Sequence, residues 1–319
     1  MLVLIGATLS VLVILLFPFE AMAWAPGTHI EIGLKILSQL SSLPMSLSTL
    51  LTAFPDAFLY GLLACDFQLA KNIKGYSKNS HNWKLEAKLE AKASSPKERA
   101  FALGCRVHLA SDVVCHNLFI PLLLVENFRI VGAGHAFFEA GFDTHMPHRA
   151  FKQVKRLSKM ANTSLDNLHK QAFSDTLFPF FANQRIIQGL ARLQRSTGWR
   201  NGMKRLGYSL DVIHLTRPDI SYYMDKSVGL GLEALASPQR SIAMRADPTG
   251  GHAILEAKRI RRTLRRWSRR KIFLRLNIKG LSMAFRDALE AGLENQLEPP
   301  DPLKFIVPAG KRKTRRGNR

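Results

Sequence analysis

The sequence predicts an all-α fold, and three observations support this prediction. Helix signals recur along the chain, alternating runs typical of strands are nearly absent, and ligand-type side chains repeat every four residues. The chain has 319 residues, of which 46% are hydrophobic, so it can bury a sizeable core. We therefore expect a single multi-helix domain with a basic C-terminal extension.

The clearest helix begins at Ser95. The stretch from Ser95 to Glu98 is a capping box with proline at the first helical position, and apolar residues then recur at helical spacing to about residue 125. A second helix is expected to begin near Gly134. Further helices are predicted at 29–41, 83–94, 149–162 and 183–196.

The N-terminal segment 1–23 is predicted to be an export signal. Residues 1–19 are almost continuously apolar, and Ala21-Met22-Ala23 has the small-x-small pattern of a cleavage site. Cleavage after Ala23 would leave Trp24 as the first residue of a periplasmic or secreted protein. An uncleaved membrane anchor is the alternative, because no lysine or arginine precedes the apolar run.

Composition changes near residue 236, so we place a helical domain at 24–235 and a basic extension at 236–319. Turn signals at 247–251 lead into segment 256–272, which contains nine lysines and arginines. Its apolar stripe either lies on an anionic membrane or docks on the protein itself. The stripe consists of Ile260, Leu264 and Trp267.

The formal net charge of +22 favours anionic partners. Charge of this size steers association with any polyanion, so it does not choose between nucleic acid and anionic lipid. The tail after residue 310 has no apolar side chain and is expected to be disordered.

His108, Asp112 and His116 recur at intervals of four residues. On an α-helix, successive steps of about 400° keep three such side chains within a stripe about 80° wide. Their neighbours are apolar, so the stripe belongs to a helix that is otherwise mostly buried. Burial of two imidazoles and a carboxylate is costly unless a metal ion or hydrogen bonds compensate. The pattern therefore favours a metal site over ordinary core histidines.

His135 and Glu139 repeat the i and i+4 spacing on a second helix. Two further ligand-type residues precede them, since Asp66 follows an apolar segment and His81 lies between Ser80 and Asn82. These side chains exceed what one tetrahedral zinc ion can use, so two or more ions are expected. Nitrogen and oxygen donors of this kind suit zinc, with manganese or iron as alternatives.

The order of these residues resembles the zinc-dependent phospholipase C family over roughly residues 24–145. The resemblance implies an all-helical fold that encloses three zinc ions. The matching elements are Trp24-Ala-Pro-Gly-Thr-His29, Asp66, Ser80-His81-Asn82-Trp83, His108-x3-Asp112-x3-His116 and His135-x3-Glu139.

Carried over by position, the resemblance also implies a ligand set for each ion. One ion would be held by Asp66, His81, His108 and Asp112. A second would be held by His116, His135 and Glu139. The third would be held by His29, Asp112 and the freed α-amino and carbonyl groups of Trp24.

The resemblance implies hydrolysis of phosphodiester bonds, with Asp66 orienting or deprotonating the attacking water. Phospholipid is the predicted substrate, and an anionic membrane surface is an expected partner. Single-strand nucleases share the fold and the three-zinc plan, so nucleic acid is the second candidate. The short spacing from Trp24 to His29 is more typical of nucleases, whereas glutamate at position 139 is more typical of phospholipases.

A non-catalytic membrane-binding protein with structural zinc is the third hypothesis. Structural zinc sites are usually closed and rich in thiolates. None of the predicted ligands is cysteine, and carboxylates are plentiful, which favours catalysis.

Overall fold

The computed structural model describes residues 24–67, 81–130, 135–160, 163–172, 196–210, 215–269 and 276–306, with positions 189, 193 and 194. Within these ranges the chain is helical, and the one strand-like feature is an isolated bridge between Leu276 and Ile306. The prediction of an all-α fold is confirmed. The predicted signal at 1–23, most of the predicted helix at 183–196 and the basic tail lie outside the described residues.

The α-helices are numbered in chain order. The first seven are α1 (Pro26–Leu37), α2 (Met45–Ala53), α3 (Pro55–Ala64), α4 (Trp83–Lys92), α5 (Pro96–Val114), α6 (Ile120–Glu126) and α7 (His135–Asp143). The others are α8 (His148–Leu157), α9 (Thr163–Ala172), α10 (Thr197–Leu210), α11 (Arg217–Ala236), α12 (Ile242–Arg245), α13 (Gly251–Arg269) and α14 (Ile278–Glu294).

The longest stretch of buried helix is α5, at the centre of the fold. Every residue from Ala100 to Val114 is buried, and α1, α3, α4 and α11 all pack against it. The predicted capping box is present at its start. The Ser95 hydroxyl accepts a hydrogen bond from the Glu98 backbone at 3.2 Å, and the Glu98 carboxylate accepts one from the Ser95 backbone at 3.1 Å.

Helices α3 and α5 cross in backbone contact. A Cβ atom added at Gly61 would lie 2.0 Å from the carbonyl oxygen of Phe101, and one added at Gly104 would lie 2.0 Å from that of Phe58. Because both obstacles are backbone atoms, only glycine fits at either position. The close crossing brings α5 within hydrogen-bonding distance of the carbonyl groups near the end of α3.

A π-helical turn, Cys115–Phe119, separates α5 from α6, where the sequence predicted one uninterrupted α-helix. Pro121 follows this turn and has no N–H to donate, so regular α-helical hydrogen bonding cannot continue through it. The Ile120 N–H instead reaches the carbonyl oxygen of Cys115, five residues back. The π-turn thus includes His116, the last member of the repeat that begins at His108.

The helical stretch Pro96–Glu126 is long and apolar enough to cross a membrane by length and composition alone. Its most apolar window is 94% buried inside the protein. Burial of this extent is typical of the core helix of a globular fold.

The basic segment forms α13, which packs against α6 and the π-turn. Its inward side chains Ala253, Ala257, Ile260 and Leu264 are buried, and Trp267 packs against the same core. The apolar stripe therefore docks on the protein, which is the second of the two alternatives that the sequence left open. It is not free to enter a bilayer.

Candidate metal centre

Two histidines on the central helical stretch are fixed through their Nδ1 atoms. His108 Nδ1 lies 2.7 Å from the carbonyl oxygen of Leu62, and His116 Nδ1 lies 2.6 Å from that of Pro248. A carbonyl oxygen only accepts, so Nδ1 carries the proton in both rings. Each ring therefore presents its Nε2 atom to the interior, the orientation typical of a metal-ligating histidine.

The first donor group comprises the Asp112 carboxylate and four buried side chains around it. Asp112 Oδ2 lies 3.0 Å from His81 Nε2 and 3.2 Å from His108 Nε2, and Oδ1 lies 3.5 Å from His29 Nε2. Asp66 Oδ1 lies 3.5 Å from His81 Nε2 and 3.8 Å from His108 Nε2. The structure thus brings together predicted residues from α1, from the 3₁₀ turn after α3 and from α5, with His81 just before α4.

The charge on Asp112 is set by its neighbours. Burial opposes its ionisation, but the facing His108 and His81 rings hold the pKa of this carboxyl well below its usual value. Asp112 is therefore an anion in the interior, the state that a cation site requires.

His29 is oriented by Ser111 on α5. The Ser111 hydroxyl donates to the carbonyl oxygen of His108 at 2.8 Å, so it accepts from His29 Nδ1 at 3.2 Å. Burial, followed by the neighbouring His108, lowers the pKa of His29 to about 3. The ring is neutral at physiological pH, and its Nε2 points towards Asp112.

Trp24 reaches the same turn of α5 through its side chain. Its Nε1 donates to the carbonyl oxygen of Ser111 at 3.0 Å, and its ring packs against Phe119 and Phe142. The side chain is fully buried. Trp24 is therefore held beside the first donor group, and a free α-amino group at this position stays a prediction.

Asp143 anchors the start of α1 and was not among the predicted site residues. Its Oδ1 atom accepts from the Thr28 backbone N–H at 2.7 Å and from the Thr28 hydroxyl at 3.0 Å. Burial raises the pKa of Asp143 to about 7, although the bonds from Thr28 oppose this shift. The contact fixes the helix that carries His29, one residue further along.

The second donor group consists of His116, His135 and Glu139. His135 Nε2 lies 2.9 Å from Glu139 Oε1, and the rings of His116 and His135 meet edge to face with centroids 4.7 Å apart. The His135 side chain is 17% exposed, more than any other predicted ligand, whereas that of Glu139 is 3% exposed. His135 is therefore the predicted ligand whose side chain comes nearest to solvent.

Cys115 lies within 4.8 Å of the donor atoms of His116 and Glu139. Burial, together with the nearby Glu139 carboxylate, raises the pKa of its thiol well above the usual value. The protonated thiol behaves as a small apolar side chain, so it adds packing rather than a thiolate ligand.

A turn at Asp247–Gly250, far along the chain from the ligands, contacts His116 and orients its ring. Pro248 provides the carbonyl oxygen that His116 Nδ1 contacts, and Asn117 Nδ2 donates to the carbonyl oxygen of Asp247 at 2.8 Å. Gly250 has a φ of 59°, and a Cβ atom there would lie 2.2 Å from the carbonyl oxygen of His116. The sequence predicted a turn at this position but not its contact with a ligand.

The donor set fits zinc. The Nε2 atoms of His29 and His116 are buried and have no hydrogen-bond partner within the described part of the chain. Buried polar atoms in native proteins are nearly always satisfied, so an ion that accepts these electron pairs explains them. Imidazole and carboxylate donors with backbone-fixed rings are a combination that zinc binds in proteins.

Residues 28–181 match the family model described as zinc dependent phospholipase C. Over these residues the chain belongs to the zinc-dependent phospholipase C family. Membership, together with the buried donor groups, makes the protein a zinc hydrolase. Comparison with curated proteins and with solved structures gave no match.

The family match covers most of the predicted ligands but not every residue that positions them. It includes every predicted ligand except Trp24, and it ends well before the Asp247–Gly250 turn that orients His116. A contact outside the matched region therefore supports a ligand inside it.

Proposed function

We propose that the protein is a phospholipase C that hydrolyses the phosphodiester bond of a phospholipid. The observation that carries this proposal is the pair of neighbouring donor groups built from imidazole and carboxylate side chains of the family-matched residues. Zinc bound there supplies polarisation of the phosphoryl oxygens, activation of water and stabilisation of the leaving oxygen. Two separate groups support at least two ions, and the resemblance predicts three.

The chain's own side chains have distinct tasks in this reaction. His29, His81 and His108 surround Asp112 and form the first donor group with it. His116 is kept in place by Pro248. We assign phosphate entry to His135, because its side chain is the most exposed of the predicted ligands. The buried core around α5 excludes bulk water from the donor groups.

Activity on the two candidate substrate classes tests the proposal directly. Purified protein is treated with a chelator, reloaded with zinc and assayed on phosphatidylcholine vesicles and on single-stranded DNA. We expect chelation to abolish diacylglycerol release and zinc to restore it, with little DNA cleavage. Cleavage of DNA without lipid hydrolysis would instead identify a nuclease of the same fold.

Asp66 is our proposed water-orienting residue. It lies in the 3₁₀ turn that follows α3, with its Oδ1 atom close to both His81 and His108. Asp66→Asn keeps the shape but loses a proton-accepting oxygen, so turnover of a soluble phosphocholine diester should fall by about 10²- to 10⁴-fold while some zinc is retained. The exposed Asp56→Asn on α3 is the matched control and should keep full activity. Full activity of a zinc-loaded Asp66→Asn protein would refute the role.

A further inference from the structure

The outward face of α13 carries a basic stripe. Helical steps of about 100° per residue place its members within about 80° of one another, all exposed to solvent. One apolar side chain, which is 56% exposed, begins the stripe at the end nearest the start of the helix. We define the basic stripe as Leu255, Arg259, Arg262, Arg266 and Arg269.

The arginines of α13 divide into two sets with different surroundings. Arg261 and Arg265 turn towards the protein and donate to the carbonyl oxygens of Phe128 and Ile130 beyond the end of α6. Those two arginines fasten the helix to the core.

The stripe arginines have almost no such partners. Arg259 pairs with Glu256 at 3.0 Å, and no carboxylate of the described residues pairs with Arg262, Arg266 or Arg269. Like charges three or four residues apart destabilise a helix. Within the described residues, three neighbouring arginines of the stripe therefore have no carboxylate partner to offset their mutual repulsion.

The basic stripe begins close to the metal centre. The turn that leads into α13 contacts His116 through Pro248, and Lys258 in the second turn of the helix is near enough to act electrostatically on His135. At about 1.5 Å per residue, the stripe extends about 21 Å from Leu255 to Arg269. It thus starts beside the donor group that includes His135.

We propose that the basic stripe binds the anionic headgroups of a phospholipid bilayer and holds the His135 side of the metal centre against the membrane. This inference rests on the proposed action on phospholipid. Rows of lysine and arginine bind anionic leaflets electrostatically, without apolar insertion. That mode suits α13, whose apolar stripe is occupied by the core.

Nucleic acid fits the same surface less well. Proteins that bind single strands combine basic grooves with exposed aromatic rings on which bases stack. The one aromatic residue of α13, Trp267, packs against the core instead. The stripe therefore offers charge to a flat anionic surface but no stacking platform.

The test uses full-length, zinc-loaded protein in which Arg262, Arg266 and Arg269 are all replaced by glutamine. The matched control carries Lys92→Gln, Lys97→Gln and Arg99→Gln, which remove the same charge from exposed positions on α4 and α5. Binding is measured by co-sedimentation with phosphatidylcholine vesicles, with and without phosphatidylserine, and on single-stranded DNA. Hydrolysis of a soluble phosphocholine diester is measured alongside.

We expect the stripe variant to lose at least about tenfold in binding to phosphatidylserine vesicles at low salt, because each basic residue near such a surface contributes about fivefold. The control variant should bind like the unmodified protein, and soluble turnover should be unchanged in both. Equal losses in the two variants, unchanged vesicle binding, or a loss confined to DNA would each overturn the inference. Absence of diester turnover in the unmodified protein would instead contradict the proposed function, and vesicle binding would still be measurable.

Discussion

Alanine at position 250 is expected to deprive the protein of the ion that His116 helps to hold. The Cβ atom of Gly250→Ala would lie 2.2 Å from the carbonyl oxygen of His116 and 2.6 Å from its Cβ atom, so the turn must move away. The positive φ of 59° adds backbone strain of about 1 kcal/mol or more. Movement of the turn removes the Pro248 carbonyl oxygen from His116 Nδ1, which releases the ring.

Loss of a hydrogen-bond partner that orients a metal-ligating histidine, as Pro248 orients His116, lowers metal affinity by about 10- to 100-fold. Zinc content after dialysis against a competing chelator measures this effect, with thermal unfolding to confirm that the protein is folded. Gly251→Ala is the matched control, since its Cβ atom would lie no closer than 3.4 Å to the nearest side-chain atom, Asp247 Oδ2. A Gly250→Ala protein that holds zinc as tightly as this control would show that the turn does not position His116.

Replacement of Asp112 by asparagine is expected to have the largest effect on catalysis. Asp112 faces three imidazoles, those of His29, His81 and His108, and its negative charge compensates for whatever cation they bind. Asparagine keeps the volume but removes the charge and turns an N–H group towards the Nε2 atoms. Loss of an outer partner alone costs about 10- to 100-fold, so loss of this shared carboxylate should exceed about a hundredfold in turnover.

Asp143→Asn is the control for Asp112→Asn. Asp143 is equally buried, but it serves as a hydrogen-bond acceptor for Thr28, a task that the asparagine oxygen can also perform. Its pKa of about 7 means that a neutral side chain is already well tolerated there. We expect this protein to retain zinc and most of its turnover. Similar losses of zinc and turnover in the two variants would contradict the role of Asp112 as a metal ligand.

The parts of the metal centre that the sequence predicted are those encoded by local spacing. The capping box at Ser95 and the repeat of His108, Asp112 and His116 follow from residues within one helix, and both lie on the helix that the structure places at the centre. The helices predicted near 29, 83, 135 and 149 are also present, with ends that differ by several residues. Helical periodicity is a local property, which is why it could be read without the fold.

The features that the sequence did not predict depend on contacts between distant segments. The π-turn at Cys115–Phe119 requires an extra residue whose position no periodic pattern specifies. The carbonyl oxygens of Leu62 and Pro248 have no side-chain identity to mark them, so their bonds to His108 and His116 were invisible in the sequence. Asp143 is an ordinary helix residue until the fold brings Thr28 to it.

The bond between His116 and Pro248 also constrains the order in which the protein can assemble. It joins residues 132 positions apart, whereas His108 finds its carbonyl partner 46 positions away. Contacts of long sequence separation form late because the intervening chain must be ordered first, and synthesis from the N-terminus delivers residue 248 after both histidines. The growing chain can therefore build the first donor group before the second, because the backbone partner of His116 is made only with residue 248.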